Sequence, residues 1–180
     1  LVLVLAGGND VFMNLALVQA MAQTPPQAVA AMGAAGAELA ALVRTQMAAK
    51  GARYIVVVNL PDVSQTPFAY TLDPTVQGLI NQMVGAFNQQ LAAGLDGVRG
   101  VAGVDAYTRG RQQTADPARF GLSNVTLPAC DLPATAVNGF PLGSLGCSAA
   151  TLVAGDVSRY QFADGVHPTP YAHGLLAGLV

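Results

Sequence analysis

The chain has 180 residues, 52% of them hydrophobic, which is enough to build a sizeable core within a single domain spanning 1–180. Only 10% are charged, the net charge is -2, and Lys50 is the single lysine among scattered arginines. That excludes nucleic acid as a partner, since nothing here would neutralise several phosphates. No unbroken apolar run approaches the ~20 residues of a membrane span, so no transmembrane segment is expected.

Residues 1–10, LVLVLAGGND, set six apolar residues before two glycines, an asparagine and an aspartate. No basic stretch precedes the run and no small-residue cleavage site follows it, so it reads as a buried strand rather than a signal-peptide core. Residues 11–23 carry apolar side chains at helical spacing and stop before Pro25 and Pro26. A second, alanine-rich helix is expected over 27–50, closed by Gly51 in the position glycine favours. RYIVVV at 53–58 is β-branched without alternation, the pattern of a strand covered on both faces.

Residues 59–72 read as a loop with two prolines. Asp73-Pro74 marks a helix start, aspartate as cap and proline in the first turn, with the helix running to about residue 93. A weaker strand is expected over 98–105. The order β-α-α-β-α-β predicts an α/β domain with a parallel sheet and right-handed crossovers.

From 121 to 160 the pattern dissolves into Pro, Gly, Ser and Thr, and both cysteines, Cys130 and Cys147, fall within it. The leading reading is a disulfide-closed loop. Such a closure would contribute on the order of 3 kcal/mol on the chain-entropy model and imply a periplasmic, secreted or cell-surface location. The alternative is two unrelated buried thiols. The end of the chain reads as a short loop and then a helix beginning near Thr169 or Pro170.

Two histidines are the only side chains suited to general-base work near neutral pH. His167 lies three residues after Asp164 in DGVHP, where one turn could set the geometry of an aspartate holding a histidine tautomer. His173 comes six positions later, about 240° around a helix, so a two-histidine metal site is not expected. No metal-binding spacing or phosphate loop is present, and no cofactor is called for. At the first strand's tip, Gly7 and Gly8 allow a sharp bend and close approach, and Asn9 offers an oxyanion donor. The plainer alternative is a turn in which Asn9 or Asp10 only caps the following helix.

Taken together, a strand ending in Gly-Gly-Asn-Asp and an Asp-x-x-His-Pro before the last helix resemble the third and fifth sequence blocks of the GDSL, or SGNH, hydrolases. GARYIVVVNLPDVSQTP looks like that family's next strand and loop. FNQQLAAGL with ADPARFG is similar to its secreted bacterial lipase, esterase and lecithinase members. The resemblance implies a flavodoxin-like three-layer α/β/α sandwich and ester hydrolysis by a serine nucleophile. It would make Asn9 an oxyanion-hole donor, His167 the general base and then acid, and Asp164 the residue that orients it. Gly7 and Gly8 would shape the turn, and Asp10 would buttress it.

The family's Gly-Asp-Ser-Leu-like nucleophile block and its second oxyanion block are not among these residues. Ser64, Ser123, Ser144, Ser148 and Ser158 all lie in expected loops, none in a Gly-Asp-Ser setting. The expectation is therefore the C-terminal part of a hydrolase domain, its N-terminal strands and nucleophile carried outside this chain or by a second chain or fragment. Phe68, Tyr70, Phe140 and Leu142 are candidates for lining an acyl site of a small-molecule or lipid ester, or for simply covering the core. An acyltransferase using the same groups, and a non-catalytic binding or scaffold chain, are the alternatives.

Overall fold

The apolar run at the start gives only three residues to β1 (Val2–Val4), because the backbone must leave the sheet before the glycine turn at Gly7. This computed structural model describes residues 1–131, 136–137, 140–141 and 146–180, with backbone alone at 136–137 and 140–141. They divide into two compact units, Leu1–Val63 with Pro74–Thr108, and Ser64–Asp73 with Arg109–Val180.

In the first unit, β1, β2 (Ile55–Val58) and β3 (Val101–Val104) form a parallel sheet in that order. Val2 lies opposite Ile55 and Ile55 opposite Val101. β2, the central strand, is the best covered, as its β-branched run predicts; Ile55, Val57 and Val58 are all buried. Three helices connect the strands: α1 (Gly8–Gln19), α2 (Pro25–Leu42) and α4 (Pro74–Leu95). Their inward faces, Val11 and Leu15, Ala28, Met32 and Ala40, and Ile80, Met83, Val84, Phe87 and Leu91, make the core. Burying a side chain the size of Phe87 contributes roughly 1.5–3 kcal/mol.

The many small residues of α2 let it approach α4 closely. A Cβ at Gly36 would sit 2.3 Å from the Phe87 carbonyl oxygen. α2 starts two residues earlier than expected. Pro25 and Pro26 form its first turn, where a missing N–H costs nothing, and the Gln27 Oε1 accepts from the Thr24 amide at 2.8 Å. Beyond Leu42 the helix continues through one wide turn (Val43–Met47) and one tight turn (Ala48–Lys50), ending at Gly51 with φ 96°. By length and composition the 26-residue run Pro25–Lys50 would suit a membrane span, which counting unbroken apolar runs does not pick out. Here its buried face packs on α1 and α4.

The second unit contains α3 (Pro67–Tyr70), the greater part of α5 (Ala106–Ala115), β4 (Asn124–Pro128), β5 (Ala136–Val137), β6 (Phe140–Pro141), β7 (Tyr160–Phe162) and α6 (Pro170–Ala177). β4 runs parallel to β7, and β5 pairs antiparallel with β6. The stretch 121–160 is thus more structured than its composition predicts. After β4, the Ala129 amide donates to the Phe162 carbonyl at 2.9 Å and the Val153 amide to the Ala129 carbonyl at 2.9 Å. Cys130 and Cys147 are disulfide-bonded, with Cα atoms 5.5 Å apart.

Candidate active site

Gly7 occupies the position that caps α1, with φ 106°. Glycine is required there twice over: the dihedral is one L side chains rarely adopt, and a Cβ would lie 2.5 Å from the Phe87 ring. Gly8, Asn9 and Asp10 form the helix's first turn, and neither polar side chain acts as the cap. The plainer reading of GGND, a side-chain-capped turn, therefore does not hold. Asn9 is exposed, and among the described residues its side chain has no hydrogen-bond partner. The Asp10 carboxylate sits at the positive end of the helix dipole, worth about 0.3–1 kcal/mol at an exposed site. The Asp10 carbonyl accepts from the Asn14 side chain at 2.8 Å.

Asp164 and His167 meet in the second unit, as their spacing predicts. The Asp164 Oδ2 and His167 Nδ1 are 2.8 Å apart. Asp164 is 1% exposed and the His167 side chain 58% exposed. The other carboxylate oxygen, Oδ1, accepts from the Val166 and His167 amides, each at 2.7 Å. A buried carboxylate needs such donors, and these two fold the chain around it. An ionised carboxylate can only accept, so beside it the His167 Nδ1 donates, and in the neutral imidazole Nε2 is the acceptor. Among the described residues nothing bonds Nε2. His173 is not part of this arrangement; its Nδ1 lies 3.0 Å from the Thr169 carbonyl on its own helix.

The turn is braced on several sides. The Ala163 amide donates to the His167 carbonyl at 2.8 Å, the Phe68 amide to the Gly165 carbonyl at 2.8 Å, and the Cys130 amide to the Ala163 carbonyl at 2.9 Å. Thr169 fixes the exit, its Oγ1 donating to the Tyr160 carbonyl at 2.6 Å and accepting from the Ala172 amide at 3.2 Å, which starts α6. Phe68 and Tyr70 lie on α3, half-buried and exposed respectively. Leu142, Ser144 and the Phe140 side chain fall outside the described residues.

The strand tips of the first unit carry a network that spacing does not reveal. The Asn59 Nδ2 donates to the Asp105 Oδ1 at 2.9 Å, and the Tyr107 amide donates to the Asn59 Oδ1 at 3.0 Å. Burial pushes the Asp105 carboxyl up, but donation from the Thr108 hydroxyl and amide and from Asn59 outweighs it and holds it below the ordinary value. The one sequence signal is an Asn or Asp directly after a strand.

Compared with known proteins, residues 1–180 match the model of the GDSL-like Lipase/Acylhydrolase family. The chain belongs to that family. Its mix of helices and parallel strands is that of the GDSL α/β fold. The chain is also 31% identical over 175 residues to an uncharacterized protein in the trpE-trpG intergenic region of Pseudomonas putida. That match covers 95% of this GDSL chain and 26% of the relative, so the chain spans about a quarter of the relative's length.

Proposed function

We propose that this GDSL chain forms the acid–base and oxyanion part of a secreted bacterial serine hydrolase of carboxylic esters. The observation that carries the reading is the buried Asp164 holding the Nδ1 of an exposed His167. In the reaction, Nε2 takes the proton of a serine Oγ as that oxygen attacks the ester carbonyl, and Asp164 stabilises the imidazolium that forms. The Asn9 amide donates to the oxyanion, a contact worth roughly 3–4 kcal/mol when well placed. His167 then returns the proton to the leaving alkoxide, and water repeats the sequence on the acyl-enzyme.

In this reading Gly7 shapes the oxyanion turn, and Gly8 and Asp10 support it. The serine comes from a segment or chain outside these 180 residues. The Gly-Asp-Ser setting is not found around any serine here, and the much longer relative leaves room for one. The outer edge of β1 also favours a further strand, being unpaired among the described residues, with Leu1, Leu3 and Leu5 exposed beside it. Phe68 and Tyr70 are the candidates for contacting an apolar acyl or aromatic group. The disulfide suits an extracellular location. Acyl transfer to an alcohol would use the same groups.

A fluorophosphonate probe tests the proposal on the full-length protein. Labelling of one serine is expected, with His167→Ala slowing it by roughly 10²–10⁴ and Asn9→Ala lowering ester turnover by about 10²–10³. A full-length protein that takes up no label would leave only the non-catalytic scaffold reading.

A further inference from the structure

We propose that the Cys130/Cys147 cystine is a positioning device for the Asp164/His167 pair, so that full turnover requires the oxidised bond. This rests on the reading of that pair as the acid–base group. The link passes through Ala163, the residue before Asp164. Its carbonyl accepts from the Cys130 amide at 2.9 Å, and the Cys147 Sγ lies 3.6 Å from the same oxygen. A cystine sulfur has no proton to donate, so the second is a packing contact; both halves of the bridge bear on one peptide oxygen. The Ala163 amide, on the other side, donates to the His167 carbonyl at 2.8 Å.

The peptide groups around Ala163 therefore sit between the cystine and the histidine. The Asp164 Oδ1 is tied to the turn's own amides, so the turn moves as a body and carries both members of the pair with it. The stretch holding Cys130 is also flanked on its other side, the Asp131 amide donating to the Thr151 carbonyl at 2.8 Å and the Val153 amide to the Ala129 carbonyl at 2.9 Å. The cystine joins residue 130 to residue 147, just ahead of that flanking segment. Cutting it leaves that segment held to the stretch that braces Ala163 by these main-chain bonds alone. Cys130 is buried and Cys147 only half-buried, so a dithiol attacks at the Cys147 sulfur. Dithiothreitol then leaves as its cyclic disulfide, and both cysteines become thiols.

The test is ester turnover by the full-length protein before and after reduction, with the thiols counted by alkylation and mass. Reduction is expected to lower kcat roughly 10- to 100-fold, the cost of a sub-ångström to ångström misplacement of reacting groups, leave KM within about twofold, and reverse on reoxidation. Cys147→Ser should reproduce the loss, and in an Asp164→Asn background the added loss should shrink to about twofold, because both changes act through one pair. An unchanged kcat in fully reduced protein, or the same loss in the Asp164→Asn background, would overturn the inference.

If the oxidised wild type neither hydrolyses esters nor labels, the hydrolase reading has failed on its own. The positioning inference is then read from the rate at which diethyl pyrocarbonate modifies His167 relative to His173. A change in that ratio on reduction supports it, and an unchanged ratio refutes it.

Discussion

Each of the two units has its own kind of internal order. In Leu1–Val63 with Pro74–Thr108, order comes from volume: Met32, Ile80, Met83 and Phe87 fill the space between helices, and Gly36 lets two backbones touch. In Ser64–Asp73 with Arg109–Val180 the helices are short, and directional bonds take over. The cystine, the two bonds of the Thr169 hydroxyl and the Tyr171 hydroxyl donating to the Phe120 carbonyl at 2.9 Å do the joining. Arg109 and Arg119 sit 5.5 and 5.7 Å from the Phe120 ring centre. A packed core tolerates the loss of a polar atom and resists added volume, whereas a bonded scaffold does the reverse. The Asp164/His167 pair stands in the bonded scaffold, where a few oxygens set its geometry.

That contrast is sharpest at Gly7 and Gly8. Gly7→Ala adds a methyl to the Phe87 ring at φ 106° and is expected to cost about 3 kcal/mol, summing backbone strain and overpacking. Gly8→Ala meets nothing within 4 Å and should be neutral or stabilise by up to about 1 kcal/mol. Urea denaturation of both variants checks this, and equal losses would mean the first unit is not volume-limited.

For the second unit, Tyr171→Phe keeps the shape and removes only the bond to Phe120. A loss of about 1 kcal/mol is expected. A variant as stable as the parent would break the comparison.

The smallest effect is electrostatic. Asp105 lies below its ordinary value of 3.8, so its charged form is favoured by folding. Its contribution is present above that value and fades as pH falls through the lower folded one. Wild type should therefore lose melting temperature between about pH 5 and pH 2 slightly more steeply than Asp105→Asn. Parallel slopes in thermal melts would remove Asp105 from the account.

Local signals carried most of the first unit. β2 and α4 lie where β-branching and Asp73-Pro74 put them, and Gly51 closes the second helix with a positive φ. The prolines at 25 and 26 misled by two residues because a helix stop and a helix first turn share the same residue. In the second unit α5 had no apolar stripe to reveal it; its sequence AYTRGRQQTA is polar and contains a glycine. β4 and β7 are paired across more than thirty residues, and no local pattern records a partner so distant. The Asp164/His167 pair was legible because three residues of spacing sufficed. The bracing of Ala163 was not, because it is made by main-chain atoms that every residue carries.

Thr169 adds a constraint of another kind. Its single hydroxyl oxygen is bonded to the Tyr160 carbonyl at one side and the Ala172 amide at the other, and its own amide donates to Gln161 at 3.0 Å. The segment from 160 to 169 is thereby pinned at both ends like a measured span. Its side chains can change more freely than its length, since one inserted or deleted residue must break a bond at one end or carry His167 away from Asp164.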